Sequence, residues 1–231
     1  MKKQVYIIIG IVFGVLLFDQ ILKIWIKTHF DYYDPPVDLL GSWFRLLYIE
    51  NQGMAFGTTF GSSMWAKLGL SIFRIIACAG IVYYFIKQLK AQVKTEYLLA
   101  IGLVFAGATG NLIDSMVYDF VFPYNPCIPF NHLEGSGIVS DCGAWGKIET
   151  RYTGFLFGNV VDMFQFNVEW PSWVPWYDKN GSNQIFPAIW NVADASISVG
   201  IGMIILRQRA YFPKEKKKST ESQETIEKTE E

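Results

Sequence analysis

Four aspartates of this chain stand within or beside long apolar runs: Asp19, Asp114, Asp162 and Asp194. A carboxylate inside a membrane-length apolar segment costs about 2.5–3.5 kcal/mol even on the lenient insertion scale, so each needs a partner or a task. Two carboxylates held close and shielded from water cannot both ionise cheaply, and they share a proton. The charged member can take a proton from water while the neutral one polarises a carbonyl, which is the equipment of an aspartic protease. Intramembrane acids and lysines also mark proton and ion relays, and a small transporter is the competing reading. The three Cys and two His show no CxxC and no metal-ligand spacing, so no metal and no cofactor is expected. No Ser/His/Asp or Cys/His set competes for the role.

These acids must be positioned by membrane elements. The chain has 231 residues, 51% of them hydrophobic and 16% aromatic. The apolar residues are bunched into runs long enough to cross a bilayer, for which about 20 residues suffice. The runs predict four spans, at residues 5–26, 64–86, 97–117 and 185–206. The first begins like a signal peptide but continues past Asp19 to Ile26 with no small-residue cleavage site, so it is expected to remain as a helix. On it, Asp19 and Lys23 are spaced i, i+4 and share a face. The second span carries Arg74, which must face protein or water. Residues 42–49 and 155–168 are aromatic and β-branched enough for strands, and Asp162 lies in the second of these. Its apolar flanks are expected to desolvate it and raise its pKa. Trp170, Trp173 and Trp176 have the character of an interfacial aromatic belt. The expected organisation is one membrane domain over residues 1–210, exported loops at 27–63 and 118–184, and a charged, disordered tail over 211–231.

Charge sets the orientation. Lys2, Lys3, Lys87, Lys90, Lys94, Arg207 and Arg209 fall on one side of a four-span chain, whereas the 118–184 connection is acidic. By the positive-inside rule both termini are cytoplasmic. Asp19 then lies about 21 Å along the first span and Asp194 about 13 Å below the outer surface, so the four acids from four segments converge on one layer near the exported face.

Five ordered blocks carry a resemblance: Asp19-Gln20 with Lys23; Asn51-x-Gly53-x-Ala55-Phe56-Gly57; Gly107-x-x-Gly110-Asn111-x-x-Asp114; Gly158-Asn159-Val160-Val161-Asp162-Met163-Phe164; and Phe186-Pro187-Ala188-x-x-Asn191-x-Ala193-Asp194. On these the sequence resembles the lipoprotein signal peptidases, signal peptidase II. The resemblance implies a mainly α, integral membrane fold of four transmembrane helices with a small exported β-sheet region. It implies an aspartic endopeptidase of the bacterial inner membrane, the target of globomycin, that cleaves prolipoproteins before the diacylglyceryl-modified lipobox Cys. Its substrates are lipidated prolipoproteins and its surroundings membrane lipid. A monomer is expected, with no nucleic-acid partner. Residue by residue, the catalytic pair carries over to Asp162 and Asp194. The supporting polar residues carry over to Asp19, Lys23, Asn51, Asn111, Asp114 and Asn191, and Gly53 belongs to the loop block. Asp114 is expected to be a structural acid positioning the loop after the third span.

Two departures stand out. Where the family usually has Arg, this chain has Ser115, and Arg151 or Lys147 is the expected stand-in. The connection between Asp114 and Asp162 carries an extracytoplasmic insertion at about 123–153, resembling long-loop members from Bacteroidetes-type bacteria. It contains Cys127 and Cys142, free or joined in an oxidising compartment. With Asp194 helical and Asp162 on a loop, closure of residues 154–164 over the substrate is expected to assemble the site.

Overall fold

Three of the apolar runs form helices long and apolar enough to cross a membrane in the computed structural model: α1 (Lys2–His29), α2 (Met64–Lys90) and α3 (Thr95–Val121). The structure describes residues 2–52 and 63–212; Gly53 and the part of its block that follows, and the tail from 213, lie outside the described residues. Each helix runs a few residues past its expected span, because the polar flanks continue the hydrogen-bond ladder. α3 is central: 56% of its most apolar window is buried, against 11% for α1 and for α2. The outer helices turn residues such as Phe13, Phe73 and Tyr83 outward, as apolar surface facing lipid requires.

The fourth run departs from expectation. Only Val192–Leu206 is helical (α4); residues 185–188 are irregular and Ile189–Trp190 form a short strand. Two local signals explain the late start. Pro187 disfavours helix at the residue before it and removes a donor. Asn191 closes a capping box: its Oδ1 accepts from the Asp194 backbone N–H at 2.9 Å, and the Asp194 carboxylate accepts from the Asn191 N–H at 3.3 Å. Asp194 therefore sits in the first turn of a 15-residue helix rather than deep along a 22-residue one. A short helix, α5 (Gln208–Tyr211), follows, and the chain stays packed through Phe212, with Tyr211 and Phe212 against Tyr97.

α3 and α4 approach closely because glycines line the seam. A Cβ on Gly107 would meet the Ala193 carbonyl oxygen at 2.1 Å, and one on Gly200 would meet the Ala100 oxygen at 2.7 Å.

Over one end of this bundle lies a four-stranded antiparallel sheet. Strands β1 (Val37–Leu40) and β2 (Phe44–Asn51) come from the first connection. Strands β5 (Val160–Phe166) and β6 (Ile189–Trp190) flank the second, and the order is β1-β2-β5-β6. Ahead of β5 in the chain, β3 (Val139–Asp141) and β4 (Lys147–Glu149) make a hairpin inside the insertion, which is closed by a Cys127–Cys142 disulfide. The two-residue side-chain period of β5 separates its functions. Val161 and Met163 turn down onto Ile26, Leu46 and Tyr118, sealing the sheet to α1 and α3. Val160 and Asp162 turn the other way, into a cavity.

Asp162 is thus the third residue of an interior strand, paired with Ile49. The expected loop position of Asp162 is corrected: it stands on a strand, which β2 pairs along one side and β6 at Phe164 and Gln165 on the other. Trp173 and Trp176 are 80% and 62% exposed, while Trp170 packs edge-on to Trp176.

Gly107→Val is expected to wedge α4 away from α3, at a cost of about 1–3 kcal/mol for overpacking. Thermal unfolding in detergent checks this, and a parent-like midpoint would contradict the close approach.

Candidate active site

Lys23 is the organising cation. It is fully buried, and its ammonium has three donors and three acceptors: Asp114 Oδ2 at 2.8 Å, Asn111 Oδ1 at 2.9 Å and Asp19 Oδ2 at 3.0 Å. Asp19 and Asp114 are 1% and 0% exposed, so the ion triad is taken wholly out of water. Such burial is tolerated only with near-complete pairing, and Gln20 adds to it. Its amide donates to Asp114 Oδ1 at 3.0 Å and Asp19 Oδ2 at 3.2 Å, while its own oxygen accepts from the Tyr118 hydroxyl.

The spare acceptor capacity of the two acids does the positioning. Asp19 Oδ1 accepts the Ala193 backbone N–H at 2.8 Å, which ties α1 to the first turn of α4, where N–H groups lack helical partners. Asp114 Oδ2 accepts the Val161 N–H at 3.3 Å, which ties α3 to β5. Gly158 lets the chain leading into β5 lie against α3, since a Cβ there would stand 2.4 Å from the Asp114 carbonyl oxygen.

Three asparagines carry the network to the acid pair. Asn111 Nδ2 donates to Asp194 Oδ1 at 2.8 Å while its oxygen faces Lys23. Asn191, fully buried, donates through Nδ2 to Asp162 Oδ1 at 2.7 Å and holds Asp194 through its capping box. One residue therefore touches both acids. Asn51, diagonal to Asp162 across the β2–β5 ladder, donates its Nδ2 to Asp162 Oδ2. All of the expected site residues within the described range converge here; Gly53 lies outside it.

Asp162 is 2% exposed, whereas Asp194 is partly open to the cavity. Burial holds the Asp162 pKa well above the ordinary carboxylate range, the Asp194 charge adds to the rise, and Lys23, Asn51 and Asn191 oppose it. The cause differs in part from the one read in the sequence: Val161 and Met163 face the opposite side of the strand. The cavity has a volume of about 1020 Å³; it reaches from both acids to Ile197 and Val199 on α4 and to Trp190 and Phe186 beside the sheet.

The cation that meets Ser115 is neither Arg151 nor Lys147. Arg151 makes a bidentate pair with Asp119 at 2.8 and 2.9 Å, away from the acid pair, and Lys147 is exposed. Arg74 instead reaches across from α2, donates through Nη1 to Ser115 Oγ at 3.0 Å and lines the cavity with Asp162 and Asp194. An arginine in an apolar span signals such a role, but only the helix packing shows its target.

Lys23→Met leaves Asp19 and Asp114 buried without their cation and is expected to cost about 3–5 kcal/mol. A thermal midpoint equal to the parent's would contradict the account. Arg74→Met is expected to lower kcat/KM on the substrate proposed below by on the order of 10–100-fold, since a charged hydrogen bond contributes about 1.5–3 kcal/mol. Adding Ser115→Arg to Arg74→Met, which returns a guanidinium from α3, is expected to restore part of it in the same assay.

The family model for signal peptidase (SPase) II matches residues 11–209. A lipoprotein signal peptidase of Porphyromonas gingivalis is 31% identical over 205 residues, spanning 87% of this chain and 81% of that protein. One from Amoebophilus asiaticus is 32% identical over 229 residues, spanning 96% and 86%. A bacterial membrane enzyme solved by the in meso method at 2.3 Å resolution aligns with a TM-score of 0.56 at 26% identity, over 91% of this chain and 93% of that one. With the family model covering nearly the whole chain and relatives similar over most of their length, this multi-pass membrane protein belongs to the signal peptidase II family.

Proposed function

We propose that this chain is an aspartic endopeptidase that removes signal peptides from prolipoproteins, cutting before the diacylglyceryl-modified Cys, with Asp162 and Asp194 as the catalytic pair. The observation that carries the reading is Asn191, whose side chain bonds Asp162 and caps Asp194 at one wall of a cavity lined by apolar helix surface.

The chemistry follows from the pair. The two acids share one proton. The ionised member takes a proton from a water in the cavity as that water attacks the scissile carbonyl carbon, and the protonated member donates to the carbonyl oxygen. Collapse of the tetrahedral intermediate breaks the C–N bond. The proton taken from water passes to the departing amine of the lipidated Cys, and the signal peptide leaves as a carboxylic acid. Asn51, Asn111 and Asn191 hold both carboxyl groups in place, so little reorganisation accompanies the charge movement. The labels acid and base belong to the pair, because coupled groups titrate together.

The substrate explains the location. A diacylglyceryl group sits in the lipid leaflet, so its scissile bond lies near the membrane surface, where helix ends and a covering sheet meet. In this reading α4 completes a four-span topology, both termini are cytoplasmic, and the site lies near the periplasmic face. The 1–210 region is one membrane domain. Against a path across the membrane stands the clustering of the acids, Asp19 and Asp114 on Lys23 and Asp162 and Asp194 joined to them through Asn111 and Asn191.

Asp162→Asn and Asp194→Asn are each expected to lower cleavage of a diacylglyceryl lipobox peptide by on the order of 10²–10⁴-fold with folding retained. Globomycin is expected to block the parent. An Asp194→Asn variant that still cuts would refute the pair. Because the Asp162 pKa is raised, the shared proton is retained as pH rises past the ordinary carboxylate range. Cleavage is therefore expected to persist there and to fall only at higher pH, when the pair loses that proton. A kcat/KM profile already falling near pH 4 on its alkaline side would contradict this.

A further inference from the structure

One wall of the cavity comes from the insertion. Pro129, Phe130, His132 and Leu133 line it, and the segment that carries them is held rigidly. Phe130 sits edge-on to Tyr32 and Tyr48, at 5.5 and 5.7 Å between ring centroids. The buried Asn131 accepts through Oδ1 from Arg151 Nε at 2.7 Å and Asn159 Nδ2 at 3.0 Å, and it donates through Nδ2 to the Asn125 carbonyl at 2.8 Å. Backbone bonds join Arg151 N–H to the Asn131 carbonyl and Leu133 N–H to the Glu149 carbonyl. Arg151 is itself anchored on α3 through Asp119. The Cys127–Cys142 disulfide closes the loop from outside, and Gln52 Nε2 donates to the His132 carbonyl at 3.3 Å.

In this setting the Nε2 of His132 is buried and has no hydrogen-bond partner among the described residues. A buried polar atom left without a partner costs about 1–3 kcal/mol. Here the atom belongs to a residue that faces the cavity holding the acid pair, so a bound molecule can supply the partner.

We propose that the insertion wall binds the polypeptide segment that follows the scissile bond, with His132 Nε2 hydrogen-bonded to that segment. The proposal rests on the protease reading. The geometry favours this segment over the lipid or the signal helix. The other end of the cavity is apolar α4 surface, Ile197 and Val199, which suits lipid and an apolar helix. The part of the substrate that stays outside the membrane leaves on the side of the sheet, where the wall stands. A neutral imidazole nitrogen can accept a backbone N–H or donate to a carbonyl, so it can read an extended chain without demanding a particular side chain.

The test compares two ligands: diacylglyceryl-Cys amide, and the same lipidated Cys followed by six residues. Dissociation constants are measured in detergent for the parent, His132→Ala and His132→Gln. In the parent the peptide extension is expected to tighten binding by on the order of five- to tenfold, the size of one net hydrogen bond. His132→Ala is expected to erase the difference between the ligands, and His132→Gln, which keeps a hydrogen-bonding nitrogen, to recover part of it. No gain from the extension in the parent, full gain in His132→Ala, or an equal loss for both ligands would each overturn the proposal. Cleavage of the full lipobox peptide by the parent is assayed alongside. Absent cleavage with the extension gain intact would remove the protease reading and leave the wall standing.

Discussion

A lysine ammonium buried at the end of a helix bundle must find three hydrogen-bond acceptors and at least one negative charge, because water cannot reach it. In this chain Lys23 finds Asp19, Asp114 and Asn111, on its own helix and on α3. The geometry of the acid pair descends from that requirement. Each partner of Lys23 has acceptor or donor capacity left over. Asp19 uses it on the first turn of α4, Asp114 on the backbone of β5, and Asn111 on Asp194. The two elements that carry Asp162 and Asp194 are both held by the groups that neutralise one cation. The charge a membrane protein can least tolerate thus sets the distance between its working parts.

The second constraint is where α4 begins. Asn191 ends an extended stretch that pairs with β5 and starts the helix in the next residue. Its side chain caps α4 and bonds Asp162, so the junction of sheet and helix is also the junction of the two acids. Glycines at the α3–α4 seam let that junction sit against Asp19. Strand periodicity supplies the rest: one face of β5 seals the sheet onto the bundle, and the other presents Asp162.

Charges around this centre are distributed differently from what the blocks alone imply. The guanidinium beside Ser115 arrives from α2, and the arginine in the insertion instead fastens that insertion to α3 through Asp119. An insertion that is cross-linked, ion-paired and packed against two tyrosines behaves as part of the enzyme's wall, since ordering it costs conformational entropy that only specific contacts offset.

By itself the sequence determined the three long spans, because length and apolar content are local quantities read directly against bilayer thickness. It also singled out Asp19, Lys23, Asp114, Asp162 and Asp194, because a carboxylate or ammonium in an apolar run is costly wherever it lies, whereas Asn51 and Asn111 entered only through the resemblance. Asn191-x-x-Asp194 was legible as a capping box and Pro187 as a helix breaker, yet the length of the apolar run 185–206 outweighed both in a reading by hydropathy. Tertiary structure alone decided that Asp162 stands on an interior strand facing away from its apolar neighbours, since the pleat face depends on the Ile49 register. It likewise decided that Arg74 meets Ser115, that Arg151 meets Asp119, and that Cys127 meets Cys142. Those pairings join residues far apart in the chain, and their partners are set by which faces pack together, which no local pattern encodes.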